Sequence, residues 1–234
     1  MMGREDISGN KQGVEQSRAV NDQVAELVDT LTTINTILRH DLFNDLTAIK
    51  GFLELFDMKN DRKYVNRARA ALNKSIELIC RMRELEYLAT SGGNLRLVDA
   101  GQVAREVVNY YPAQPVDISV EGTCSVMADQ ALVSVIANIV QNAIIHGGAE
   151  NITIALAERG GKCELRITDN GKGIPDGMKE KIFEPGFTCG AIGHTGLGLY
   201  IVKKTVTRYG GTVRMEDNQP SGSVFILELQ KSSG

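Results

Sequence analysis

The sequence predicts a two-part fold, a helical hairpin followed by an α+β sandwich, and three observations carry that prediction. Apolar residues recur at helical spacing from about Val20 to Ser91. Short β-rich runs mixed with helices take over after Gly93. Between the two patterns stands Ser91-Gly92-Gly93, where glycine supplies a left-handed helix stop. The expected organisation is a flexible lead-in over 1–19, a hairpin over 20–92 and a second domain over 93–234, with the hinge near 91–96.

The first stripe runs Val24, Leu27, Leu31, Ile34, Leu38, Leu42, Ile49, Leu53 and Phe56, one face of a long helix. A polar stretch, Asp57 to Lys63, breaks it. The second stripe follows at Tyr64, Ala68, Leu72, Ile76, Ile79, Met82 and Leu85. Two helices joined this way bury one side each and leave apolar surface over. A second copy supplies the missing side as a four-helix bundle, so a homodimer is expected through this segment.

In the second half, strands are expected at Val116–Val120, Ser125–Met127, Ile152–Leu156, Cys163–Thr168, Thr212–Glu216 and Ser223–Leu229. Helices are expected near Asp99–Tyr110, Asp129–His146 and Leu197–Tyr209. The lack of regular βαβ alternation points to helices on one face of a mixed sheet.

Composition excludes several functions. A formal net charge of -3 provides no basic field for nucleic acid or an anionic membrane surface. No run of eighteen apolar residues is present to span a bilayer, so this chain itself is expected to make no membrane contact. Cys80, Cys124, Cys163 and Cys189 stand far apart with no metal-ligand spacing, which reads as reduced thiols in a cytoplasmic protein. A longer parent protein anchored in a membrane through an upstream region is compatible with that reading.

Three clusters carry chemistry. Asn138 and Asn142 sit four apart on one helix face, and amide oxygens suit Mg²⁺, though alone a solvated polar face is the better reading. Asp169-Asn170-Gly171-Lys172-Gly173-Ile174 closes a strand. Its carboxylate can accept from an exocyclic amine, although alone it reads better as a turn. Gly193-His194-Thr195-Gly196-Leu197-Gly198-Leu199 runs into a helix whose first amides suit an anion. It is neither a Walker loop nor a dinucleotide fingerprint.

In the first half, His40 falls about 200° from both Leu38 and Leu42, away from the apolar stripe. Asp41 follows it and Asn44 lies one turn on. A carboxylate on one imidazole nitrogen fixes the tautomer and leaves the other nitrogen to attack.

Taken together, Asn-x-x-x-Asn, Asp-x-Gly-x-Gly, Phe183-Glu184-Pro185-Gly186-Phe187 and Gly-x-Gly resemble the N, G1, F and G2 boxes of sensor histidine kinases. His40-Asp41-x-x-Asn44 resembles their H-box. The resemblance implies a Bergerat-type ATP sandwich after a dimerising hairpin. In it Asn138 and Asn142 hold Mg²⁺ and phosphates, Asp169 reads the adenine amine, and Gly171 and Gly173 line the base pocket. Gly196 and Gly198 lie under the phosphates, and Gly186–Thr195 forms a lid. His146, Ile174, Phe183, Thr195, Leu197 and Leu199 complete the implied ATP-binding set.

The implied activity is autophosphorylation of His40 from ATP, then transfer to an aspartate of a response regulator. Asn44 serves a phosphatase reaction on that regulator. Two departures stand out: Ile145 replaces a frequent lysine, and Asp45 replaces a frequent proline. Competing readings are a gyrase-type ATPase, a serine kinase and a nucleotide-binding scaffold. The first needs a glutamate where Asn138 stands, and the second lacks the hairpin.

Overall fold

The computed structural model describes residues 39–88, the helical course of 89–90, residues 94–111, 115–188 and 196–231, together with Thr32 and Thr36. The lead-in, the stripe positions Val24, Leu27, Leu31, Ile34 and Leu38, the Ser91-Gly92-Gly93 stop, Cys189 and Thr195 lie outside the described residues. The chain divides into two compact units, Met1–Met82 and Arg83–Gly234.

The first unit is the helical one. Its first helix, α1, is described continuously over 39–59, and its second, α2, runs Arg62–Thr90 and ends in the second unit. The expected break over Asp57–Lys63 is therefore too long: only Asn60 and Asp61 separate the helices. Asn60 takes a left-handed φ of 48° and its N–H donates to the Phe56 carbonyl, which ends α1 in a single residue. Asp61 then accepts from the Lys63 amide at 3.0 Å and starts α2. The frequent kink at position 45 is absent, since α1 passes through Asp45 unbroken. Asp45 is instead buried, and Lys74 of α2 donates to it at 3.1 Å. Tyr64, Ala68, Ser75 and Leu78 bury one side of α2, whereas Leu72, Ile76, Ile79 and Met82 stay exposed.

The second unit is an α/β sandwich. After the end of α2 come β1 (Arg96–Asp99), α3 (Ala100–Val108), β2 (Asp117–Glu121), β3 (Ser125–Ala128) and α4 (Ala131–Asn142). Then follow β4 (Asn151–Arg159), β5 (Lys162–Asp169), α5 (Gly198–Arg208), β6 (Thr212–Asp217) and β7 (Ser223–Gln230). The large sheet has the order β2-β4-β5-β7-β6, with β2 and β4 parallel and every other pairing antiparallel. A small antiparallel pair, β1 with β3, lies apart from it. All the expected strands form; β1 is additional, its four residues too few to show a period.

Alternation positions the core. Ile152, Ile154 and Leu156 of β4, Leu165 and Ile167 of β5, and Phe225, Leu227 and Leu229 of β7 form one buried cluster with α3, α4 and α5. Residues of opposite parity carry the charges: Arg166 and Arg214 flank Ile226 across β5 and β6. Helix α4 is apolar on most sides because Leu132, Val135, Ile136, Ile139 and Val140 are all buried. It ends earlier than expected, at Asn142, and Ala143–Gly147 forms one wider π turn.

One expectation is corrected. Cys124 and Cys163 are joined as a disulfide, with Cα atoms 5.9 Å apart across 39 residues. Sequence separation hid the approach, which arises because the residue entering β3 and the second residue of β5 share the core. Cys80 is an exposed free thiol. Among the described residues no helix is long and apolar enough to cross a membrane.

Candidate functional site

Strand β5 delivers Asp169 to the edge of the core, where only 4% of the residue is exposed. Its Oδ1 accepts from the Gly171 amide at 2.8 Å, and Ser223 donates to it through both amide and hydroxyl. Burial raises the Asp169 carboxyl above its ordinary value, and these hydrogen bonds only partly oppose it.

The turn after Asp169 packs against the π turn. The Lys172 amide donates to the Gly147 carbonyl at 3.0 Å. A Cβ on Gly171 would lie 2.7 Å from that same carbonyl oxygen, so only glycine permits the approach. His146 and Ile145 are on this π turn; His146 is half-buried and Ile145 is exposed.

A second layer holds Asp169 from behind, and sequence reading did not find it. Asn218 donates to the Asp169 carbonyl at 2.8 Å, and the Ser221 hydroxyl donates to the Gly171 carbonyl at 3.0 Å. Gly222, at φ 116°, passes so close that a Cβ would lie 1.9 Å from the Asp169 carbonyl oxygen. The only sequence signal was the Ser221-Gly222-Ser223 turn before the last strand, which resembles any loop.

Helix α4 contributes the amides. Asn138 is 2% exposed, and its Nδ2 has no partner. Its Oδ1 lies 3.2 Å from where a Cβ on Gly198 would stand, so it faces the start of α5. The residue preceding α5, Leu197, makes no side-chain cap, and the positive end of the α5 dipole favours an anion at this point. Asn142, one turn past Asn138, is half-buried. A buried amide without a partner, facing an uncapped helix N-terminus across a glycine, fits a phosphate group with its hydrated divalent cation.

Other expected residues sit differently. Phe183 packs edge-on against Phe225, with ring centroids 6.4 Å apart, and Leu197 is fully buried, so its side chain belongs to the core. Gly196 accepts from the Gly186 amide at 3.1 Å and ties the two ends of the expected lid together. Ile174 and Leu199 are half-buried beside the core, and Gly173 has a left-handed φ of 75°.

In the helical unit His40 is exposed, 74% by its side chain. Its Nδ1 lies 3.1 Å from Asp41 Oδ1. The Asn44 Nδ2 lies 3.2 Å from Nδ1 and 3.3 Å from Nε2. The carboxylate is thus on one ring nitrogen and the amide rests over the ring one turn along.

Known proteins resemble both units. Residues 127–233 match the family described as histidine kinase-, DNA gyrase B-, and HSP90-like ATPase. Sensor protein CitS of Halalkalibacterium halodurans is 27% identical over 228 residues, which span 90% of this chain and 40% of CitS. The solved catalytic domain of histidine kinase ThkA is 32% identical with a TM-score of 0.52, covering 58% of this chain and 96% of that domain. Histidine kinase ThkA in complex with response regulator protein TrrA shares the fold, at 24% identity and a TM-score of 0.70. That likeness covers 94% of this chain and 66% of the other. The chain spans about half the length of the curated relatives it matches, from 40% of CitS to 57% of PrrB of Mycobacterium leprae.

Proposed function

The chain belongs to the sensor histidine kinases and carries their ATP-binding domain, and from that premise we propose that it moves the γ-phosphoryl group of ATP onto His40. The observation that carries this reading is His40 itself: an exposed imidazole with a carboxylate at 3.1 Å on one nitrogen, in a chain that also holds an ATP-binding domain.

Phosphoryl transfer asks the protein for position and charge neutralisation. Asp169 accepts a hydrogen bond from the adenine amine, and the glycines beside it admit the flat base. The first amides of α5 and the amides of Asn138 and Asn142 take the phosphate end. Asn138 and Asn142 would hold Mg²⁺, which neutralises phosphate charge when bound. At the acceptor, Asp41 retains the proton on Nδ1 and Nε2 attacks. The new N–P bond forms as the γ-phosphorus leaves the oxygen of ADP, and the imidazole proton passes to Asp41.

The working form in this reading is a homodimer. Exposed Phe43, Leu46, Leu53, Leu72, Ile76 and Ile79 leave the hairpin with uncovered apolar surface that a second copy would bury. The phosphoryl group then passes from His40 to an aspartate of a response regulator, the class of partner with which ThkA is solved. Asn44, beside the ring, is placed to orient water for the reverse hydrolytic duty on that regulator. By function the hairpin takes 20–92 and the ATP-binding domain 93–234, while the compact units divide earlier, after Met82.

The test is incubation with γ-labelled ATP and Mg²⁺, in parallel with His40→Gln. Acid-labile, alkali-stable label on the wild type and none on the variant is the expected result. Steady phosphate release without protein label, equal in both proteins, would establish an ATPase instead.

A further inference from the structure

One buried polar cluster lies outside the site just described. Asp129, two residues before α4, receives four donors. The Tyr209 hydroxyl at 2.5 Å and the Ala131 amide at 3.0 Å reach Oδ1; Arg208 Nη2 at 2.7 Å and the Tyr87 hydroxyl at 3.0 Å reach Oδ2. Burial alone would raise the Asp129 carboxyl, but the hydrogen bonds from Tyr209 and Arg208 outweigh it and hold it below the ordinary value. The Arg208 guanidinium carbon lies over the Tyr87 ring at 5.8 Å from its centroid and over the Tyr209 ring at 5.1 Å. Its Nε and Nη1 are buried with no partner, so the cation depends on Asp129 and on the two ring faces.

The location of this cluster gives it a consequence. Helices α4 and α5 pack against each other. At one end of the pair Asn138 meets Gly198; at the other Asp129 meets Arg208 and Tyr209. Asn138 stands nine residues beyond Asp129, and Gly198 ten before Arg208, so each span is about 14 Å of helix. The cluster therefore pins the far ends of the two helices whose near ends face the phosphate. Two rigid rods fixed at one end cannot slide freely at the other. Tyr87 enters the same carboxylate from the last turns of α2, the stretch Arg83–Thr90 that belongs to this unit.

We infer that Tyr87, Asp129, Arg208 and Tyr209 form a positioning cluster for the nucleotide site, through which the end of α2 sets how tightly ATP is held. The inference rests on the reading that Asn138 and Gly198 face the phosphates. Tyr87 acts on the cluster in two ways: through Asp129, whose Oδ2 its hydroxyl shares with Arg208, and through Arg208, whose cation lies over its ring. The end of α2 is thus wired to the ATP-binding helices by side chains as well as by the backbone through 91–93.

A double-mutant cycle on the whole chain tests this. The quantity read is the dissociation constant of the fluorescent analogue TNP-ATP, at a temperature where circular dichroism shows every variant folded. Asp129→Asn is expected to weaken binding about tenfold and Tyr87→Phe, which keeps the ring, about threefold; the pair is expected to be no weaker than Asp129→Asn alone. A residue that merely supported the fold would lower the melting temperature and leave this constant unmoved. Wild-type affinity in Tyr87→Phe, or losses that multiply in the pair, would overturn the inference. Normal analogue binding without label at His40 sinks the kinase reading and leaves the cluster standing. Should the unaltered chain fail to bind the analogue, hydrogen exchange of the nucleotide-free chain decides. Faster exchange over 135–142 and 198–203 in Tyr87→Phe supports the cluster, and unchanged exchange there refutes it.

Discussion

The two units handle their apolar residues in opposite ways. In the ATP-binding unit the inward faces of β4, β5 and β7 and the helices above them close on one another, and Leu132, Ile136, Ile139, Leu165 and Leu227 lose all contact with solvent. In the helical unit Leu78 and Tyr64 are buried, yet Phe43 is 71% exposed and Ile76 52%. The difference follows from geometry. A sheet presents a broad flat face that three helices can cover, whereas two helices side by side can hide only the strip between them. One unit completes its core alone, and the other leaves apolar surface that the proposed dimer would cover.

The sharpest break of this contrast is Ile76→Glu. A charge at an exposed apolar position costs a lone hairpin little, because the side chain already meets water. It strongly disfavours a bundle that would bury it. The expected outcome is conversion of a dimer to a monomer by light scattering, with the melting of the ATP-binding unit unchanged. A monomer in the wild type would refute the four-helix reading directly.

Next in size is Leu165→Ala, on the central strand β5. Removing a fully buried leucine should cost about 2–5 kcal/mol, because the cavity cannot collapse between strand and helix. Calorimetry should show this loss in the ATP-binding transition and leave the helical transition in place. One shared shift of both would mean that the two units do not unfold independently.

How much of this was legible beforehand depends on period. The stripe from Leu42 to Phe56 and the one from Tyr64 to Leu85 repeat for several turns, so both helices could be seen. The alternating strands β4, β5 and β7 were equally clear. Strand β1 was not, since four residues show no period, and the Asn60-Asp61 turn was overestimated because polar Asp57 and Lys59 are simply the exposed face of α1. The candidate site divides the same way. Asp169, Gly171, Asn138 and Gly198 stand in contiguous motifs. Ser223, Asn218 and Gly222 reach Asp169 from some fifty residues away, and the Tyr87–Asp129–Arg208 cluster spans more than a hundred. Side chains that meet only through tertiary folding leave no local pattern, and the approach of Cys124 to Cys163 was missed for that reason.

Asp169 gives a prediction of intermediate size with a sign that can be checked. Asp169→Asn should weaken analogue binding about tenfold to a hundredfold, the expected loss when a recognising carboxylate is replaced by an amide that presents the wrong group to an amine. Because burial raises this carboxyl above its ordinary value, folding without nucleotide shifts it toward the protonated form relative to the unfolded chain. Its contribution to stability is therefore present at low pH and declines as pH rises from the ordinary carboxylate value through the raised one. Binding runs the other way, since the ionised form is the stronger acceptor and presents no O–H donor to the amine. Affinity should fall on acidification at a pH where ordinary carboxylates are still charged, and Asp169→Asn should flatten that fall.

The same contrast recurs in two ion pairs, one in each unit, and the smallest effect of all is expected at the exposed one. Lys231 and Glu158 meet at 2.8 Å on the outside of the ATP-binding unit with both side chains near half exposed. Water already solvates both, so Lys231→Gln should change stability by about 0–1 kcal/mol, and less at high salt. Lys74 and Asp45 meet at 3.1 Å between α1 and α2, where Asp45 keeps only 10% of its side-chain exposure and its Oδ2 has no partner. Lys74→Met leaves that carboxylate buried without its cation, and the cost should rise to about 3 kcal/mol. The double variant Asp45→Leu/Lys74→Met should recover most of the loss, because no unpaired buried charge is then left between α1 and α2. Thermal denaturation of the helical unit at low and high salt reads both pairs. Equal costs for Lys231→Gln and Lys74→Met would mean that the hairpin interior is as wet as the sandwich surface, and the two helices would then be only loosely joined near His40.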